Sequence, residues 1–196
     1  MKTLLHVGCA SLNISDLKGF NNDKWAEIRF DIDKNRNPDI IGTIVDLSLV
    51  ETGSVDAVYS AYNLDHIYPH EVPIALKEFF RVLKNDRIAI IKCPDIQSVC
   101  EAIGKDKLLD VFYQSPVGPI TPIDILFGNR KGIAEGNEFM AKKEGFTYSL
   151  LDGALHQAGF VIRYGGRIKN GRELSVVAFK SMKSELELKN IADPFL

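Results

Sequence analysis

The strongest constraint on this chain is an alternation. Short apolar runs rich in β-branched residues are separated by longer stretches whose apolar residues recur every three or four positions. Runs of the first kind suit strands buried on both faces, and stretches of the second kind suit crossover helices. Their alternation is the mark of an α/β fold built on a parallel sheet. The runs fall at 3–7, 27–32, 55–60 and 87–93, with two more at 160–164 and 174–180. Helical spacing covers 69–83, where Val72, Ile74, Leu76, Phe79, Phe80 and Leu83 repeat at threes and fours and Pro73 sits in the first turn. Further helices are read over 96–104, running on toward Phe112, and over 148–158, closed by Gly159.

Two segments break the pattern. Between 114 and 145 no strong period survives and Pro and Gly crowd 116–122, so this stretch reads as an irregular insertion of the kind that forms a lid. The turn-rich stretch 165–171 joins the last two strands, and 181–196 reads as a partly ordered tail. At 196 residues the whole chain, 1–196, suits one domain.

Charge and cysteine content narrow the function classes. Lys and Arg number 24 against 26 Asp and Glu, so no long-range field draws in a polyanion, and nucleic acid is not an expected partner. No apolar stretch approaches the roughly 20 residues of a membrane span. Cys9, Cys93 and Cys100 are odd in number and lack metal-like spacing, which points to reduced thiols in a cytoplasmic protein with no metal centre.

In open parallel sheets ligands bind beyond the carboxyl ends of the strands, where adjacent loops diverge. Gly8 follows the first strand, and a glycine there lets the turn take unusual dihedrals and lets a ligand approach the backbone. Asp31 ends the second strand, at a spacing suited to a carboxylate that accepts from the ribose hydroxyls of an adenosine-bearing cofactor. Asp33 competes for that role, because strand alternation puts both acids on one face.

Several spaced elements then carry a family resemblance. Asp46 precedes a short loop, followed by Ser54-Val55-Asp56-Ala57-Val58, Leu64-Asp65-His66, Glu78-Phe79-Phe80-Arg81-Val82-Leu83-Lys84 and Pro94-Asp95. Later come Gly145-Phe146-Thr147 and Leu155-His156-Gln157-Ala158-Gly159-Phe160. The chain resembles the class I S-adenosylmethionine-dependent methyltransferases of the type 11 group. That resemblance implies a Rossmann-like, doubly wound sheet of seven strands in the order 3-2-1-4-5-7-6, strand 7 antiparallel, with helices on both faces.

It also implies a set of cofactor contacts: Gly8 and Ala10 at the methionine part, Asp31 at the ribose with Ile32 beside it, Asp46 at the adenine amino group, Leu47 beside the ring, and Tyr62 lining the cleft. The first motif departs from the family's "L-D-V-G-C-G-x-G". His6 replaces the acidic residue that helps orient the loop, Ala10 replaces the second glycine and Leu12 the third. Asn85-Asp86-Arg87 stands where the family has "P-G-G".

Methyl transfer from a sulfonium is an in-line displacement that needs positioning more than a nucleophile or a metal. His66 is the candidate base for an acceptor that must lose a proton. Asp124, Asn129, Arg130 and Lys131 of the insertion are candidates to touch the acceptor, with Tyr113 and Phe127 as walls. The expected function is a methyltransferase that uses S-adenosylmethionine on a small molecule, with a homodimer as an admissible assembly. The competing expectation is a binding or scaffold protein on the same fold whose cofactor loop has decayed. A nicotinamide-dependent dehydrogenase shares the strand-glycine-strand-acid logic but not the later motifs.

Overall fold

The computed structural model describes residues 1–20, 23–115, 118–168 and 171–196. In chain order the elements are β1 (Lys2–Val7), β2 (Trp25–Asp31), β3 (Ile40–Ile41), β4 (Val55–Ala61), α1 (Val72–Val82), β5 (Leu83–Pro94), α2 (Ile96–Ile103), β6 (Tyr113–Ser115), β7 (Gly118–Ile120), α3 (Pro122–Phe127), α4 (Arg130–Ala134), α5 (Tyr148–Gln157), β8 (Ile162–Ile168), β9 (Glu173–Phe179) and α6 (Glu185–Ala192). The main sheet has seven strands in the order β3-β2-β1-β4-β5-β9-β8. β1 to β5 pair in parallel, and β9 runs antiparallel to both β5 and β8. This is the expected doubly wound order. The strand missed by sequence pattern is β3, whose two residues are too short to show a period.

Each face of the sheet is buried for a readable reason. Leu5, Val7, Val58, Ala89, Ile91 and Val176 face α1 and α5, where Ala75, Leu76, Phe79, Val82, Leu151 and Leu155 recur at helical spacing. Removing one such side chain from water contributes about 1.5–3 kcal/mol. On the other face Leu4, Tyr59, Ile90, Val177 and Phe179 meet Ile14, Leu17, Ala192 and Phe195. The tail is therefore an ordered part of the core: α6 opens with a Ser184/Glu187 capping box and docks Ala192 and Phe195.

The second helix stops at Ile103 rather than reaching Phe112. The insertion is more regular than its periodicity suggests, holding the β6–β7 hairpin, α3, α4 and a 3-10 turn at Glu138–Met140. These elements are three to six residues long, below the length at which a period emerges. Pro116 at its start, and Lys169 and Asn170 of the expected turn between β8 and β9, lie outside the described residues.

Candidate functional site

The carboxyl ends of β1, β2 and β4 lie side by side, and their loops bring most of the expected cofactor residues to one edge of the sheet. Gly8 adopts φ +62° at the end of β1. A Cβ there would stand 2.5 Å from Nδ2 of Asn63, so the position admits only glycine. The space a side chain would fill is taken by Asn63, which donates from Nδ2 to the Val7 carbonyl at 2.7 Å and accepts from the Ser60 hydroxyl. Cys9 is buried, and burial pushes its thiol up to about 11, so it is not a nucleophile at neutral pH.

Ala10 sits at φ +48°, in the left-handed region where the family's glycine would rest without strain. Its N–H donates to Oδ2 of Asp31 at 2.7 Å, and the N–H of Asp33 donates to Oδ1 at 2.9 Å. Asp31 is thus held facing the loop at 7% exposure, with a further lone pair on each oxygen. Asp33 does different work. It caps the turn Lys34–Arg36 through the Asn35 N–H and pairs with Arg36. Ile32, next to Asp31, is 46% exposed. Leu12 is equally exposed and lines a groove with Ser11, Asn13, Arg29, Asn35, Arg36 and Asn37, a set that includes none of Gly8, Asp31, Asp46 or Tyr62.

The next loop carries Asp46, exposed and accepting from the Ser48 N–H, a bond that holds its carboxyl below the usual range. Leu47 is fully buried among core residues, so it presents no surface to a ligand, and its N–H already donates to Glu78 Oε2 at 3.0 Å. Glu78 pairs with Arg81, which donates to the carbonyls of Leu47 and Val50 and to the Thr52 hydroxyl. The Glu78-to-Arg81 motif is therefore a brace for the 46–52 loop. Tyr62, at φ +55°, is 40% exposed at the end of β4.

Beyond it, a 3-10 turn at Leu64–His66 meets the end of the insertion. His66 donates from Nδ1 to the Ala141 carbonyl at 3.0 Å, which leaves Nε2 as the acceptor of a neutral ring. Burial holds its pKa below the ordinary value; Lys142 and Lys143 add to the shift and Asp65 opposes it. Asp65 is buried, forms an ion pair with Lys142, and accepts at its carbonyl from the N–H groups of Lys143 and Glu144.

The insertion's other candidates serve the insertion itself. Asp124 closes a capping box with Thr121 and pairs with Arg130, and Asn129 caps α4 through the Gly132 N–H. The signal was present in the sequence as Thr121-Pro122-Ile123-Asp124, with proline at the first helical position. Lys131 pairs with Glu135, at 4.0 Å on the surface. Tyr113 and Phe127 are both partly exposed. Of the other histidines, His6 is buried against Glu27, His70 stacks on the exposed Tyr68, and His156 is exposed on α5.

This architecture is the class I methyltransferase fold, and the comparisons agree with it. Residues 19–91 match the family model described as a methyltransferase domain. The fold is shared with a SAM-dependent methyltransferase from Methanosarcina mazei, at 18% identity, 93% of each chain and TM-score 0.58. It is shared also with one from Archaeoglobus fulgidus, at 12% identity, 91% of this chain, 86% of that one and TM-score 0.61. A third match, at 12% identity, 94% of this chain, 84% of that one and TM-score 0.56, belongs to a complex between a methyltransferase and the Haloferax volcanii Trm112 methyltransferase activator. No curated protein matches this sequence. Over that segment the chain is similar to the methyltransferase-domain family, and over its whole length it shares the fold of class I methyltransferases, while its glycine motif departs from theirs.

The residues present fit the adenosine half of an S-adenosyl group: an anchored carboxylate with spare lone pairs at Asp31, an exposed apolar neighbour at Ile32, and Tyr62 at the rim. The fit is poorer at the other end. Asn63 covers one side of Gly8, and among the described residues the β1–β2 crossover holds a single 3-10 turn, Ile14–Asp16, and no α-helix.

Proposed function

We propose that this chain is a methyltransferase that takes S-adenosylmethionine and a small-molecule acceptor. The observation that carries the reading is the pair at the end of β2, where Asp31 is fixed by two backbone donors beside the exposed Ile32. A carboxylate so held can accept from both ribose hydroxyls without reorganising, at roughly 1.5–3 kcal/mol per charge-assisted bond. Ala10 and Gly8 would lie along the same ligand, with Asp46 reaching the adenine amino group and Tyr62 walling the cleft. The bound sulfonium supplies an activated methyl group, so what the chain must add is orientation and, for a hydroxyl or amine, a base. His66 suits that role, because its neutral ring offers Nε2 and its Nδ1 is anchored.

Other features are consistent with this reading. The cysteines at 9, 93 and 100 are unbridged, as in a reducing cytoplasm. Among the described residues no helix is long and apolar enough to cross a membrane. Net charge is -2, which favours a small acceptor over a nucleic acid. A homodimer is compatible with it, and light scattering would report one.

A second reading, a ligand-binding or scaffold protein on this fold, is favoured by the Asn63 side chain over Gly8 and the reduced first crossover. Calorimetric titration with S-adenosylhomocysteine separates the two. Saturable heat with a thermal shift supports the enzyme, and neither heat nor shift leaves the scaffold.

A further inference from the structure

The first strand of this family carries an acidic residue that orients the cofactor loop, and here that position is His6. His6 is 2% exposed, and its Nδ1 donates to Glu27 Oε1 at 2.7 Å. The other oxygen of Glu27, Oε2, accepts from the backbone N–H of Ile14 at 2.9 Å. Ile14 is the first residue of the short turn that follows the loop bearing Gly8 and Ala10. A carboxylate on β2 thus reaches across to β1 and to the crossover at once.

A neighbour on the same strand face completes the arrangement. Arg29 donates to the carbonyls of Ala10, Leu12, Arg36 and Asn37. Between them, two charged side chains of β2 hold an N–H and two C=O groups of a crossover that has little helix to hold itself. We infer that Glu27 is a positioning residue, supplying from the second strand the carboxylate that the first strand lacks and fixing the loop that would carry the methyl donor.

The physical chemistry favours position over stability as the reason for the pair. Two buried polar partners between strands can usually be exchanged for apolar residues of similar volume at little cost or even a gain. An apolar residue at 27, however, would leave the Ile14 N–H without its acceptor, and an unmade bond at a buried backbone donor is costly. The oxygen that makes Glu27 necessary is the one pointing at the loop.

The cofactor arm of the test rests on the function proposed above; the exchange arm does not. In ligand-free protein, Glu27→Ala should speed amide exchange at Ala10, Leu12 and Ile14 at least tenfold while Val58 and Ile90 in the central strands keep their rates. Glu27→Gln keeps an acceptor for Ile14 and should stay near wild type. S-adenosylhomocysteine affinity should fall at least tenfold in the alanine variant and be rescued in the glutamine variant. Should Glu27→Ala fail to fold, Ile14→Pro deletes the donor at a position whose backbone tolerates proline, Ile14→Ala serves as the control for the lost core side chain, and the proline variant should speed exchange at Ala10 and Leu12 beyond that control with the same loss of affinity. Unchanged exchange at the loop, or a uniform rise across the sheet, overturns the inference. Wild-type protein that ignores S-adenosylhomocysteine overturns the proposed function instead, and leaves the tether to be decided by exchange.

Discussion

The carboxylate of Asp31 and the backbone N–H of Ala10 meet at 2.7 Å, joining the end of the second strand to the strained turn after the first. Ala10 stands at φ +48° where the family has glycine. A left-handed alanine costs about 1–2 kcal/mol, part of which glycine returns to the unfolded chain as entropy. Ala10→Gly should therefore stabilise the protein by about 1 kcal/mol without weakening S-adenosylhomocysteine binding. Urea denaturation checks the first statement and calorimetry the second; a loss of stability would mean that the turn relaxes around the methyl group.

Asp31→Ala should abolish cofactor binding, and the bond network adds a second expectation. Removing the acceptor leaves the N–H groups of Ala10 and Asp33 without their partner, at less than the roughly 1–3 kcal/mol of a fully buried donor because Ala10 is exposed and Asp33 half-buried. The variant should fold with a lowered midpoint in urea and give no heat with S-adenosylhomocysteine. Undiminished affinity would move the ribose contact to another residue.

Arg81→Met should loosen the 46–52 loop. It removes the partner of Glu78 and the donors to Leu47, Val50 and Thr52, while the methionine keeps most of the apolar stem. The pair is partly exposed, so a cost near 1 kcal/mol is expected, with a larger rise in the dissociation constant for S-adenosylhomocysteine than for an analogue lacking adenine. Equal losses for both ligands would mean that the brace does not serve the adenine end.

His66 supplies a pH test. Its folded pKa lies below the unfolded value of 6.5, mainly through burial. The folded state then binds fewer protons than the unfolded state below about pH 6.5, so its contribution to stability declines as pH falls through that value. Against wild type, His66→Gln should gain relative stability between pH 7 and pH 5 in urea titrations. In the wild type the ring C2 proton should titrate below the ordinary range. A normal titration would mean that the ring is solvated and the Ala141 bond absent.

The layers of this fold were legible from the 3.6-residue period of the helices and the near-continuous apolar runs of the strands, because Leu76, Phe79 and Val82 on α1 and the run Ile88–Cys93 on β5 write their burial directly into the sequence. What escaped had no period to show. β3 is two residues long, and α3 and α4 announce themselves only through Thr121/Asp124 and Asn129 caps. At the site, strand ends located Gly8 and Asp31, but not what surrounds them. Asn63 over Gly8, Glu27 behind His6 and Arg81 under Leu47 are contacts between residues 21 or more positions apart, and composition says nothing about such pairings. Leu47 shows the limit most clearly: its place in the motif suggests a ring contact, whereas its side chain belongs to the core.

The insertion's seat is the last test. Lys142 and Asp65 are an ion pair with side chains 11% and 3% exposed, joining the end of the insertion to the turn that bears His66. Lys142→Met would leave a buried carboxylate without its partner, a change that typically costs about 3–5 kcal/mol. Asp65→Asn in the same chain removes that charge, so the double variant should recover much of the loss, and the coupling measured by denaturation should be well above 0.5 kcal/mol. Costs that simply add would mean that the two charges do not feel each other. Lys142→Met alone removes one of the two ammonium charges that depress His66, so in that variant the ring should titrate closer to its ordinary value, whereas the double variant also loses the Asp65 charge that raises it and should titrate lower than the single variant. If the ring does not respond while the stabilities couple, the pair is a fastening for the insertion and has no part in tuning the base.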